Sequence, residues 1–293
     1  MDKPYHKFRA LRNLLIVFIL VGVACKKGDK VPAFVEVKNP SVSIVDPSVQ
    51  GTSSSNITHA WVFANDQTYG PWELPARVPV LEKGNVNLKI IAGIERNGSS
   101  TDVVQHPFYK TYEVDRDLVD EGTIIIEPEF EYFTNLTYWI ENFDQPGINL
   151  NTSPNSDTTF TALMDPSDNF EGDSRAIYLD DAHPFFEAST DQNFTVPSNS
   201  ATILEMNYAS DQTMLVGGYV EFNNQIIRQP LVFVAPSEND PDEVLWKKIY
   251  IDLSPLWANT LLSDREFFIA VTKDSSPSGY VYLDNLKIVH RTL

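Results

Sequence analysis

The sequence predicts an all-β protein of two β-sandwich domains, the second a jelly roll, behind an export signal that is cleaved. Three observations carry this. Short β-branched or aromatic runs bounded by Pro, Gly, Asn and Ser recur along most of the 293 residues, which is how strands separated by turns read. Residues 33–133 hold no stretch with apolar residues at i, i+3, i+4 and i+7 over three turns, so a helical or βαβ reading has little support. Length suggests roughly two domains. The 42% hydrophobic and 12% aromatic content is too apolar for a disordered chain, and the net charge of −18 disfavours nucleic acid and anionic partners generally.

The N-terminus departs from the strand pattern. Lys3, Lys7, Arg9 and Arg12 precede the apolar run from Leu14 to Ala24, a secretory layout. That run is too short to cross a ~30 Å hydrocarbon core comfortably, and no later segment approaches the length of a membrane helix. The single cysteine, Cys25, follows Gly22-Val23-Ala24. This arrangement resembles a bacterial lipobox, which implies that residues 1–24 are a lipoprotein signal peptide and that Cys25 is lipidated. Gly22 departs from the Leu, Val or Ile usual at its position. The bland alternative is an ordinary thiol lost with the signal. Residues 25–32 then form a tether to the first domain. The resemblance implies membrane attachment through an N-terminal lipid at the outer membrane. Lys26-Lys27-Gly28-Asp29-Lys30 stands where surface lipoproteins often carry acid, which leaves the periplasmic and surface faces both open. One cysteine also excludes a disulfide within the chain.

Residues 33–133 read as the first sandwich. Phe34-Val35-Glu36-Val37, Ala60-Trp61-Val62-Phe63, Val86 to Ile91 and Thr123 to Ile126 are its clearest strands. Asn97-Gly98 signals a hairpin, because this pair supplies positive φ. The stretch from Ile57 to Ala76 adds a strand, a turn and a second strand ended by proline. Together these segments resemble the transthyretin-like or immunoglobulin-like modules of Bacteroidota lipoproteins, which mostly serve as spacers or binding scaffolds.

After a junction at Glu131–Tyr138, residues 139–291 read as a second β unit. About eight strand-like runs fit a jelly roll, among them Arg175 to Leu179, Ala201 to Met206, Met214 to Val220 and Phe267 to Val271. The opening Glu141-Asn142-Phe143-Asp144, the central Leu245 to Leu253 and the closing Gly279 to Ile288 resemble, in their order, the galactose-binding-like jelly rolls. That superfamily includes many carbohydrate-binding modules as well as adhesin and structural domains. The resemblance implies a structural Ca²⁺ near Glu141, Asp144, the Asp173 turn and Asp284, where oxygen ligands suit a hard cation. An equal alternative has Asp284 and Asn285 capping a strand and Glu141 solvated.

No zinc, nucleophile-elbow or phosphate-loop motif is present, His6, His59, His106, His183 and His290 are isolated, and 40 carboxylates make any acid–base pairing by sequence uninformative. No catalytic residue is expected. Aromatic residues are the better lead for contacts with a partner or a glycan, because phenol, indole and phenyl planes stack on sugar rings and concentrate at protein contacts. The candidates are Tyr69, Trp72, Phe185, Phe186 and Trp257, whereas Trp61, Trp139 and Trp246 read as core. Of the adjacent pair Phe185 and Phe186, one should be accessible on a strand. The acidic stretch Ser237 to Glu243 reads as a solvated loop. The leading functional reading is a non-catalytic, outer-membrane-anchored lipoprotein that acts as an interaction or accessory subunit of an envelope protein assembly. The alternatives are a glycan-binding accessory lipoprotein of a polysaccharide uptake system and, third, a glycan hydrolase.

Overall fold

A computed structural model describes residues 31–197, 199–237, 244–257 and 265–292. Cys25, the signal segment, most of the tether and acidic residues 238–243 lie outside them. The described chain is nearly all β, with one-turn helices at Pro47–Gln50 and Ser254–Trp257 and a 3₁₀ turn at Pro166–Asp168.

Ten strands precede Leu136: β1 (Ala33–Val37), β2 (Ser41–Ser43), β3 (His59–Ala64), β4 (Gln67–Glu73), β5 (Ala76–Val80), β6 (Gly84–Glu95), β7 (Val103–Gln105), β8 (Tyr112–Leu118), β9 (Thr123–Ile126) and β10 (Glu129–Glu131). They form a sheet with order β4-β3-β6-β7, to which β8 adds on β6, a sheet β5-β1-β9 and a small pair β10-β2. Alternation along β6 buries Val86, Leu88, Ile90 and Ala92 against Val35, Val37 and Val78 of the facing sheet. The β3–β4 turn places Asn65 and Asp66 at positive φ, the backbone that Asn and Asp tolerate. Asn97 and Gly98 also have positive φ, but their loop runs on to Asp102, whose carbonyl accepts the Arg96 amide at 2.9 Å.

The remaining strands are β11 (Leu136–Glu141), β12 (Leu150–Thr152), β13 (Arg175–Asp180), β14 (Phe185–Thr190), β15 (Thr202–Ser210), β16 (Met214–Phe222), β17 (Gln225–Val234), β18 (Lys247–Asp252), β19 (Arg265–Thr272) and β20 (Ser278–Arg291). Five build the sheet β11-β20-β15-β18, with β13 also on β20, and five build the sheet β12-β14-β19-β16-β17. These two sheets sandwich a core of Trp139, Phe186, Leu204, Met206, Ile251, Phe267 and Ile288. The first strand, β11, begins at Leu136, inside the segment read from sequence as a junction.

The outer faces of these two sheets have different fates. On the β11-β20-β15-β18 sheet, Ile203, Tyr250 and Val289 join the hydrophobic cluster of the N-terminal sandwich. Cross-sandwich hydrogen bonds reinforce this contact: Asn97 N–H to the Tyr250 carbonyl at 2.8 Å, Asp252 N–H to Asn97 Oδ1 at 2.9 Å, and Asn56 N–H to the Tyr250 hydroxyl at 3.0 Å. The rest of that face carries Tyr280 and Tyr282 and is packed by Leu163 and Trp246. Among the described residues, the outer face of the β12-β14-β19-β16-β17 sheet meets no other sheet.

Candidate functional site

The uncovered sheet face holds a compact polar cluster. On β14, Phe186 and Ala188 point into the core, so Glu187 points outward. Its Oε2 accepts from Arg228 Nε at 2.8 Å and Nη2 at 2.6 Å, and its Oε1 accepts from the Tyr219 hydroxyl. The Arg228 guanidinium carbon lies 4.2 Å from the ring centre of Phe268, and the Tyr219 ring lies 5.2 Å from the same ring. A planar guanidinium over a ring face is the cation–π arrangement that Arg favours. Burial, then the hydrogen bond to Glu187, pushes the Tyr219 hydroxyl up to about 12, so it stays a proton donor at neutral pH.

Gly217 makes this cluster possible. It stands opposite Phe268 on β19, and a Cβ there would collide with Phe268 Cζ and meet the Gln229 carbonyl oxygen at 2.5 Å. At one end of the cluster a cleft of about 310 Å³ opens, lined by Tyr219 with Asn151, Thr152, Ser189, Asn193 and Glu266. Hydroxyl, amide and carboxylate groups therefore share the cleft wall with the Tyr219 ring and with apolar Pro154 and Ile226. Such a lining suits a polyhydroxylated ligand, since each sugar hydroxyl both donates and accepts.

The aromatic residues expected to make contacts are not brought together. Trp257 is 1% exposed and Phe186 fully buried, and both belong to the jelly-roll core, where Trp257 stacks on Phe194 with centroids 5.3 Å apart. Neither is a contact residue. The strand alternation that buries Phe186 leaves Phe185 half-buried on the uncovered face, paired with Thr272. Tyr69 and Trp72 lie on β4 of the other sandwich, half-buried against its core, with the indole N–H donating to the Tyr69 carbonyl at 2.7 Å. Trp139 is a core residue. Trp61 and Trp246 are only half-buried, and Trp246 precedes β18 instead of lying within it.

Of the four residues of the calcium expectation, Glu141, Asp144 and Asp284 have carboxylates tied to loop backbone, and Asp173 enters through its backbone amide. Glu141 accepts the amides of Phe143 at 2.6 Å and Asn149 at 2.5 Å. Asp144 accepts the Asp173 amide at 2.9 Å and the Asn142 side chain at 2.8 Å. Asp284 accepts from Ser174 Oγ at 2.9 Å and from the amides of Glu171 at 3.1 Å and Asn285 at 2.6 Å. Burial pushes the Asp284 carboxyl up to about 7. Among the described residues no three His, Cys, Asp or Glu side chains gather as metal ligands. In this geometry the Glu141, Asp144 and Asp284 carboxylates act as pins for the loops between β11 and β13.

Sequence reasoning missed Glu187, Arg228, Tyr219 and Phe268. They come from separate strands, and only the alternation of Phe186 with Glu187 hinted that an acid faces outward there.

No family model matches the chain, and no curated protein matches it. Among solved structures, it is similar to a point mutant of the family 29 carbohydrate-binding module CBM29-2 at 12% identity and a TM-score of 0.33, covering 53% of this chain and 91% of that one. It is similar to a second CBM29-2 mutant, complexed with mannohexaose, at 11% identity and a TM-score of 0.33, over 53% of this chain and 92% of that one. A structure described as the basis for promiscuous specificity of carbohydrate-binding modules from the β-sandwich superfamily is similar at 11% identity and a TM-score of 0.36, over 78% of this chain and 83% of that one. Likeness at this level assigns neither family nor ligand.

Proposed function

We propose that the protein is a non-catalytic glycan-binding lipoprotein, with the uncovered sheet of the jelly roll as its binding face. The observation that carries this reading is the cluster of Arg228, Glu187, Tyr219 and Phe268 beside a cleft of mixed polar and apolar lining. Both Glu187 oxygens are engaged, one by Arg228 and one by Tyr219, which supports a positioning role over that of a general acid or base. A guanidinium fixed by a carboxylate and an aromatic face keeps outward N–H groups pre-oriented for sugar hydroxyls, so little side-chain entropy is lost on binding.

The test is a glycan array probed with the full-length protein and with Arg228→Ala. Saturable binding by the natural protein that is lost in the variant is the expected result. A blank array, or binding unchanged by the substitution, overturns the reading.

Attachment through Cys25 belongs to the same proposal and rests on Gly22-Val23-Ala24-Cys25 after the apolar run. Incorporation of labelled fatty acid that disappears in Cys25→Ala tests it. The reading as a protein-interaction subunit is favoured by one observation, the exposed Ile226 and Phe233 on edge strand β17, at 63% and 72% exposure. Co-purification of a stoichiometric envelope protein that is lost in Phe233→Ser would select it.

A further inference from the structure

A second cavity of about 280 Å³ lies at the seam between the two sandwiches, on the opposite side of the jelly roll from the face described above. Ser54 and Asn56 of the N-terminal sandwich form one wall, Phe170 and Trp246 of the jelly roll form another, and Asn207 and Lys248 lie between them. The side chain of Lys248 is only 3% exposed. Its ammonium carries three donors, yet its nearest partners are Asn207 Oδ1 and Glu205 Oε2, both at 3.5 Å. Asn207 Nδ2 donates across the seam to Ser54 Oγ at 3.0 Å, and Asn56 Nδ2 donates to the Lys248 carbonyl at 3.2 Å.

Behind the cavity the charges do not balance. Glu205 is fully buried and faces two lysines, Lys248 at 3.5 Å and Lys287 at 3.4 Å. His106, also fully buried in its side chain, has Nε2 3.7 Å from Glu205 Oε1, and burial holds its ring neutral at physiological pH. The hydroxyls of Tyr132 and Tyr250, also packed here, stay protonated. Lys287 is well satisfied by the carbonyls of Gln50 at 2.9 Å and Thr52 at 3.4 Å and by the Tyr132 hydroxyl at 2.9 Å. Among the described residues, Lys248 has no comparable set. The buried group thus carries one positive charge in excess, next to the cavity. An unbalanced buried charge is costly, and burial pushes the Lys248 ammonium down to about 8 against the pull of Glu205. Lys247 also lines the cavity, so two lysines meet there in a chain of net charge −18. Glu171 acts on Lys248 from the exposed rim, where its carboxylate accepts from Asn285 at 3.1 Å.

We infer that the seam cavity binds a monocarboxylate carried on a sugar-sized ring, such as a uronic acid unit, with its carboxylate on Lys248 and its ring against Trp246. A single negative charge matches the excess; a phosphate dianion would overshoot it beside Glu171. The Trp246 side chain is half-buried beside Phe170, with its N–H donated to the Asp168 carbonyl at 2.8 Å, which fixes the indole plane. The overall acidity of the protein repels anions at large, and this pocket reverses that locally. The inference does not rest on the uncovered sheet face.

The experiment titrates the full-length protein with glucuronate, glucose and acetate and follows binding by calorimetry. Glucuronate saturates the site and glucose does not; acetate alone binds more weakly because it lacks the ring. Lys248→Met reduces glucuronate affinity by about tenfold to a hundredfold, the worth of a hydrogen bond to a charged group. No saturable binding of glucuronate, or affinity unchanged in Lys248→Met, overturns the inference. Should that variant fail to fold, carbon-13 resonances of the lysine side chains in the natural protein decide: bound glucuronate raises the Lys248 titration midpoint by about one pH unit or more, and an unmoved midpoint rejects the site.

Discussion

Two glutamates, Glu187 and Glu205, sit on the outer faces of the two jelly-roll sheets, both nearly shielded from solvent, and they meet opposite fates. Glu205 lies under the N-terminal sandwich, fully buried among Lys287, Lys248, His106 and Tyr132. Glu187 lies on a face that no other described sheet covers, screened by the side chains of Arg228 and Tyr219. In the first case a second domain supplies the burial, so the charge acts in domain contact. In the second, side chains of the same sheet supply it, so the charge holds Arg228 and Tyr219 in place on an uncovered face. The difference shows that the fraction of a carboxylate buried says less about its role than what buries it.

The sharpest way to break this comparison is to remove a partner from the closed side. Lys287→Met strips Glu205 of one countercharge and leaves the Gln50 and Thr52 carbonyls without their donor. A loss of about 1–3 kcal/mol in urea unfolding is expected, because buried carbonyls lose their donor while Lys248 still faces Glu205. On the open side the largest structural effect comes from Gly217→Ala. Its Cβ would collide with Phe268 and the Gln229 carbonyl, and overpacking of this kind costs about 1–3 kcal/mol. Glycan binding should fall with it, because Phe268 carries Arg228.

Acid tests the closed side in a second way. Burial alone would raise the Glu205 carboxyl, but Lys287, His106 and Lys248 outweigh it and hold the group well below the ordinary carboxylate range. A depressed folded-state value means that this stabilisation is fully present above the unfolded value of about 4.3 and is lost as pH falls through the folded one. Stability of the natural protein should therefore decline below about pH 4, and Glu205→Gln should flatten that decline in a series of thermal melts. Arg228→Ala should show the smallest change in stability, about 1 kcal/mol or less, because its guanidinium pair is partly exposed at 38% and screened by solvent. Its expected signature is loss of glycan signal with an almost unmoved melting temperature.

Much of the scaffold was legible as strings of residues. Phe34 to Val37, Thr123 to Ile126 and Phe267 to Val271 became strands β1, β9 and β19, because β-branched and aromatic runs bounded by turn residues have few other ways to bury themselves. Asn97-Gly98 took the positive φ its composition allows. The candidate site was not legible. Aromatics in polar surroundings pointed to Trp257 and Phe186, which packing drew into the core, while the open face was assembled from Glu187, Tyr219, Arg228 and Phe268, none conspicuous in its own segment. Trp246 read as core; it packs beside Leu163 and Tyr282 and also borders the seam cavity.

The sequence by itself determined the all-β class. Period-two alternation and turn chemistry act over a few residues and need no distant partner. Only the tertiary structure decided which outer face of the jelly roll is sealed and which is left open, and hence which buried charges lie in the domain contact and which lie on the uncovered face. Those outcomes depend on pairings such as Tyr132 with Glu205 and Lys287 with Gln50, across 73 and 237 residues of chain, where no local pattern records the contact.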